Sequence, residues 1–118
     1  MATILIVDDE PLIRSMYTSI FTDHNCIEAN NGRAAILQIQ HHAIDLVITD
    51  LRMPEMNGVE LIRGLKGLGY SVPIVVITAS KQADELRSSM ALEFPEIPIL
   101  EKPFVTRELL RVADRILG

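Results

Sequence analysis

Five apolar runs of six residues or fewer recur along the chain, each followed by a longer stretch with helical spacing. The runs are "ATILIV" (2–7), "CIEA" (26–29), "DLVIT" (45–49), "PIVVIT" (73–78) and "IPIL" (97–100). Their length and β-branched content suit strands. The stretches at 11–23, 33–42, 58–67, 82–93 and 106–117 read as helices. In the first, Ile13, Met16, Tyr17, Ile20 and Phe21 fall at helical spacing. Pro11 suits a first helical turn, where its missing N–H costs nothing, and "NNG" (30–32) is turn chemistry. Repeated β–α alternation predicts an α/β fold, with a parallel sheet covered by helices on both sides. Burial on both faces explains why the runs are continuous Ile, Val and Leu rather than alternating.

A length of 118 residues suits one domain spanning 1–118, and 48% apolar with 23% charged residues supports a packed core. The net charge of −5 counts against a nucleic-acid surface, which should be basic. Cys26 is the sole cysteine, so no disulfide forms within the chain, and it reads as a small buried apolar residue. "MATILIVDDE" lacks the basic start and long apolar run of a secretion signal. No run approaches the ~18 apolar residues of a membrane span. A cytoplasmic protein without membrane or nucleic-acid partners is expected.

In sheets of this kind, ligands bind beyond the carboxyl ends of the strands. Asp8, Asp9 and Glu10 follow the first run, Asn30 and Asn31 the second, Asp50 the third, Thr78 closes the fourth, and Glu101, Lys102 and Pro103 follow the fifth. Carboxylates crowded on one rim repel, and one would hold its proton above the ordinary range. A divalent cation relieves this, and all-oxygen ligands suit Mg²⁺, which takes one or two carboxylates together with phosphate. One acid is then left to act as nucleophile. Attack by Asp50 on a phosphoryl group would load charge onto its oxygens, which Mg²⁺, Lys102 and the Thr78 hydroxyl could share. Each of these residues alone reads better as a solvated turn or a helix cap. Five converging on one rim favour the chemical reading.

The segments "ILIVDDEP", "DLVITDLRMPEMNG", "PIVVITAS" and "LEKPF", in this order, resemble the receiver domains of two-component response regulators, and the likeness covers the whole chain. It implies a flavodoxin-like, CheY-like doubly wound five-stranded parallel sheet of order 2-1-3-4-5 flanked by five helices. It implies that Asp50 is the phosphoacceptor. Asp8 and Asp9 become the acid pair for Mg²⁺, Asp9 the more direct ligand, with Asp50 and the backbone carbonyl of Arg52 completing the protein ligands. Thr78 becomes the switch hydroxyl and Lys102 the phosphate contact, joined to Pro103 by a cis bond, while Pro54 and Gly58 shape the loop after Asp50. A phosphohistidine on a sensor histidine kinase or phosphotransfer protein would donate to Asp50, and the acyl phosphate would later hydrolyse. The chain has no Gly-rich nucleotide loop, so ATP is not the expected donor. Such a domain catalyses its own phosphorylation and dephosphorylation but serves as a switch rather than as an enzyme. The face of the fourth helix, fifth strand and fifth helix would meet a downstream protein, or a second copy in a phosphorylation-dependent homodimer.

The chain departs from the family pattern in places. Ile99 stands three residues before the lysine, where the family usually carries a mobile aromatic; Ile is stiff and has no ring. "EFPEIPIL" (93–100) places two prolines where the family has Gly-Ala, next to the partner face. Output is therefore expected to rely on Thr78 and on movement of the fourth helix. Arg107, Arg111 and Arg115 share one helical face and read as a solvated stripe. His41 and His42 suit a helix C-terminus better than a metal site. A phosphatase of the haloacid-dehalogenase type would need a second Asp at position 52, which is Arg. A degenerate scaffold fits poorly with the intact Asp9, Asp50, Thr78 and Lys102. No second domain is expected after the fifth helix. A free-standing regulator and a receiver cut from a longer regulator or hybrid kinase both remain compatible.

Overall fold

Strand formation follows the apolar runs. In a computed structural model, which describes residues 1–79, 84–104 and 106–118, the strands are β1 (Thr3–Val7), β2 (Asn25–Ala29), β3 (Leu46–Thr49), β4 (Ile74–Thr78) and β5 (Ile99–Glu101). All pair in parallel, in the order β2-β1-β3-β4-β5, as the resemblance implied. The helices are α1 (Pro11–Ile20), α2 (Gly32–His41), α3 (Gly58–Gly67), α4 (Glu85–Glu93) and α5 (Thr106–Leu117).

The alternation of side chains along each strand divides the core in two. Leu5, Val7, Val47, Ile74 and Val76 face one layer with Ala35 and Ile39 of α2, Leu61, Ile62 and Leu65 of α3, and Met90 of α4. Ile4, Ile6, Leu46, Ile48, Val75 and Ile77 face the other, against Tyr17 of α1 and Leu109 and Ala113 of α5. Each such aliphatic side chain contributes about 1.5–3 kcal/mol when fully buried. This double burial holds the central strands rigid and presents their ends as one rim.

Several boundaries differ from the sequence expectation. The first helix stops at Ile20 rather than 23, because Phe21 leaves the helical region at ψ 47° while its N–H still bonds to Tyr17. Phe21 is buried, and the next turn closes with His24 N–H on its carbonyl. The fifth strand runs over 99–101, not 97–100. Ile97 spends its N–H on Phe94, and Pro98 has none to give. The expected start of the fourth helix at 82 lies outside the described residues, as does Ser80. The "NNG" turn supplies a cap: the Asn31 side chain accepts the Ala34 N–H at 2.8 Å. His41 sits in the last turn of α2, its Nδ1 2.8 Å from the Leu37 carbonyl, as a helix C-terminus favours. Arg107, Arg111 and Arg115 are all exposed along α5. Cys26 is half-buried rather than fully so, with burial raising its thiol pKa, and it packs beside the α1–α5 layer. Among the described residues, no helix is long and apolar enough to cross a membrane.

Candidate functional site

Register brings the strand ends together. Val7 lies opposite Thr49, and Thr78 opposite Glu101. The next residues, Asp8, Asp50 and Lys102, therefore emerge side by side with Thr78. The main chain continues the ladder one step further: Asp50 N–H donates to the Val7 carbonyl at 3.2 Å and Lys102 N–H to the Thr78 carbonyl at 3.0 Å.

Lys102 joins the acids. Its Nζ donates to Asp50 Oδ2 at 2.9 Å and to Asp8 Oδ2 at 3.3 Å. Burial pulls the lysine pKa down, but the hydrogen bond to Asp50 and the charges of Asp50 and Asp8 outweigh it and hold the ammonium above its ordinary range. Asp8 is 1% exposed. Burial raises its pKa, against the Glu10 N–H and Lys102, which lower it, while the Asp50 charge raises it further. Lys102 offsets part of the repulsion between Asp8 and Asp50, and Asp8 still holds its proton above the ordinary range.

Asp50 is oriented by its own loop. Oδ1 accepts the Leu51 N–H at 2.7 Å and, more weakly, the Arg52 N–H at 3.4 Å, leaving Oδ2 toward the lysine. The side chain is 12% exposed, so it meets solvent without being surrounded by it. The loop turns back through Pro54 and Glu55, whose φ is 69°, an uncommon conformation for a residue with a side chain. Asn57 then caps α3 reciprocally with Glu60, each side chain accepting the other's N–H. Gly58 N–H donates to the Leu51 carbonyl at 2.8 Å. A Cβ on Gly58 would stand 2.4 Å from the Asp50 carbonyl oxygen, so only glycine admits this approach. The Lys102–Pro103 bond is cis, as the resemblance implied.

Asp9 and Glu10 are exposed, and with Asp8 they bring three carboxylates within 4.8 Å of one another. Asp9 also lines an open cleft of about 500 Å³ together with Arg52, Met53, Pro54, Asn57, Glu85 and Leu86. Arg52 turns its guanidinium to Asp84, and this bond holds the Asp84 carboxyl below its usual range. Thr78 is buried at the end of β4. Ile99 pairs with Val76 and packs, half-buried, against the α2–α4 layer.

Three contributors escape the sequence reading. Arg14 of α1 donates to the Asp8 carbonyl at 2.6 Å and to Glu28 at 2.8 Å, bracing the acid pair from behind. Asp84 caps α4 by accepting the Leu86 N–H at 2.9 Å while pairing with Arg52. An acid directly before "ELRSSMALE" was the available signal for that cap. Tyr17 of α1 is 2% exposed, its ring stacks on Phe104, and its phenol is pushed up to about 12 by burial, with Lys102 opposing and Asp8 and Asp50 adding to the shift.

Comparison with known proteins follows the same residues. The family described as the response regulator receiver domain matches positions 4–114. The phosphate regulon transcriptional regulatory protein PhoB of Pseudomonas aeruginosa is 37% identical over 119 residues, 98% of this chain and 51% of that protein. The sensor histidine kinase RcsC of Salmonella typhimurium is 34% identical over 110 residues, 92% of this chain but 11% of the kinase. The chain thus spans about half, or much less, of these curated relatives. Among solved structures, the response regulator TrrA of Thermotoga maritima, in complex with Mg²⁺ and BeF, superposes with a TM-score of 0.84 at 28% identity, covering 99% of this chain and 100% of that one. A fold matched end to end, and relatives that carry this unit inside both regulators and kinases, agree with the rim chemistry: the chain belongs to the response regulator receiver domain family.

Proposed function

We propose that residues 1–118 form one receiver domain that accepts a phosphoryl group on Asp50 from a phosphohistidine, carried by a sensor histidine kinase or phosphotransfer protein. The observation that carries this is Lys102 Nζ held 2.9 Å from Asp50 Oδ2 and 3.3 Å from Asp8 Oδ2 at the end of a buried sheet. A carboxylate oxygen of Asp50 attacks phosphorus, the N–P bond breaks, and the imidazole leaves with the electron pair. Charge gathers on the phosphoryl oxygens, and in this reading Lys102 and the Thr78 hydroxyl share it.

The donor set fits Mg²⁺: hard carboxylate oxygens from the neighbouring Asp8 and Asp9, to which Asp50 and the Arg52 carbonyl would add, Asp9 and Arg52 both lining the cleft. Exposed Asp9 is the freer ligand, since Asp8 already spends its oxygens on Glu10 N–H and Lys102. When bound, the ion neutralises the acids and shares the charge of the transferring group. The domain catalyses its own phosphorylation and later hydrolysis and works as a switch. It acts in the cytoplasm, through protein contacts on the α4–β5–α5 face, with a downstream target or a second phosphorylated copy. The same chemistry serves a free-standing regulator or a receiver within a longer chain.

Incubation with acetyl phosphate and Mg²⁺, followed by intact mass, tests the reading. One phosphoryl group is expected on the native chain, none on Asp50→Asn and none after chelation. A native chain that neither gains mass nor binds beryllofluoride refutes it. Readout through Thr78 and α4 predicts NMR shifts across residues 84–100 on adding the mimic; a silent segment there refutes that part alone.

A further inference from the structure

Tyr17 carries a hydroxyl that its surroundings do not use. The residue is 2% exposed, and its hydroxyl has no hydrogen-bond partner among the described residues. Tyr17 shares one apolar layer with Ile4, Ile6, Phe21, Ile48 and Leu109, where a leucine would leave no hydroxyl unpaired. A buried hydroxyl without a partner at rest calls for an explanation, and pairing in another state of the protein supplies one.

Its position says which state. Helical side chains lean toward the helix N-terminus, and α1 begins at the rim, directly after Asp9 and Glu10. Burial pushes the phenol up to about 12, with the Lys102 charge opposing and the Asp8 and Asp50 charges adding to the shift. The ring also stacks on Phe104, with centroids 5.7 Å apart and planes at 26°, two residues beyond the lysine. Lys102 has three N–H donors. Asp50 and Asp8 take two of them.

Building on the proposed phosphoryl transfer, we propose that Tyr17 is a positioning residue for Lys102. Its ring holds the Lys102–Phe104 turn. Its hydroxyl oxygen accepts the third ammonium N–H when Lys102 moves from Asp8 toward a phosphoryl group on Asp50. The half-buried ammonium then exchanges Asp8 for the phenol as it follows the transferred group, and the phenol oxygen gains a partner it lacks at rest.

Tyr17→Phe removes the hydroxyl and keeps the ring, so it separates the two roles. Phosphorylation by acetyl phosphate, urea unfolding and the Lys102 ¹⁵Nζ resonance with and without beryllofluoride are measured on the native chain and on this variant. The variant is expected to unfold at or above the native midpoint and to phosphorylate about tenfold more slowly. Its Lys102 resonance should respond to the mimic differently from the native one. A native rate together with a native Lys102 response would overturn the proposal. A loss of stability would overturn it too, because the hydroxyl would then have a partner at rest. If the native chain takes up no phosphoryl group, the receiver reading fails and this inference with it; if only Tyr17→Phe behaves as native, the receiver reading stands.

Discussion

Gly58→Ala tests how tightly the loop after Asp50 is built. The added Cβ would lie 2.4 Å from the Asp50 carbonyl oxygen, 2.9 Å from Leu51 Cα and 3.2 Å from the Asp50 carbonyl carbon. All three are backbone atoms, so no side-chain rotation relieves the clash. Bringing the closest contact to an acceptable 3.0 Å or more requires a shift of about 0.6–1 Å. Overpacking of this kind costs about 1–3 kcal/mol. The Gly58 N–H to Leu51 bond strains with it, adding about 1 kcal/mol. A total of about 2–4 kcal/mol corresponds to a fall of roughly 1–2 M in the urea midpoint at ordinary denaturant sensitivities. The displaced peptide carries Asp50 itself, and a misplacement near 1 Å can cost on the order of 100-fold in rate. Gly67→Ala is the control: nothing lies within 4 Å of its added Cβ. It should leave phosphorylation unchanged and hold or raise stability, by up to ~1 kcal/mol. Urea unfolding and the acetyl phosphate assay on both variants give the answer. If Gly58→Ala unfolds and phosphorylates like Gly67→Ala, the close approach does not govern the loop and the reasoning fails.

Glu55 holds a φ of 69° with a full side chain. Glu55→Gly should therefore stabilise the chain by up to ~1 kcal/mol in urea unfolding, strain relief exceeding the extra backbone freedom; destabilisation would contradict it. Leu61 is fully buried between α3 and the sheet, so Leu61→Ala should cost about 2–5 kcal/mol by the same measurement. The Arg52 hydrogen bond lowers the Asp84 carboxyl below its ordinary 3.8. The folded state thus favours the ionised acid, and the stabilisation is present above 3.8 and lost as pH falls below it. NMR titration should find Asp84 protonating below 3.8 in the native chain and closer to it in Arg52→Ala, with no difference refuting the pair.

The strands β1, β3 and β4 were legible because both of their faces are buried, which turns each into an unbroken apolar run. The same reasoning misplaced β5, where Ile97 looks like a strand residue but gives its N–H to a turn on Phe94. It overran α1 because Phe21 has the right spacing for the helix, yet is buried from a conformation just outside it. Asp8, Asp50, Thr78 and Lys102 were legible as a group because parallel topology sends every strand end to one rim. Contacts across the fold were not. Arg52 and Asp84 are 32 residues apart, and neither residue type announces the other. Tyr17 fits the apolar face of α1 by spacing alone, and only packing shows its ring stacked on Phe104, two residues past Lys102.

The helices differ in how firmly the core holds them, and the difference bears on how a charge at Asp50 is felt elsewhere. Along α3, Val59, Leu61, Ile62 and Leu65 are buried; along α4, only Met90 is. Ion pairs add to the hold on α4 at either end: Asp84 to Arg52 at its start, Glu93 to Arg63 of α3 at its finish. Both arginines are largely exposed, and ion pairs of that kind hold weakly and exchange readily. Arg52 follows Asp50 by two residues, and its N–H already reaches the Asp50 carboxylate. Under the proposed function, a phosphoryl group at Asp50 sets new negative charge in competition with Asp84 for that guanidinium. The cap and the ion pair at the head of α4 share the same carboxylate, so loosening one disturbs the other. On that reading a signal passes from Asp50 to the lightly anchored α4 through Arg52 and Asp84, and Ile99 need not carry a ring for α4 to respond.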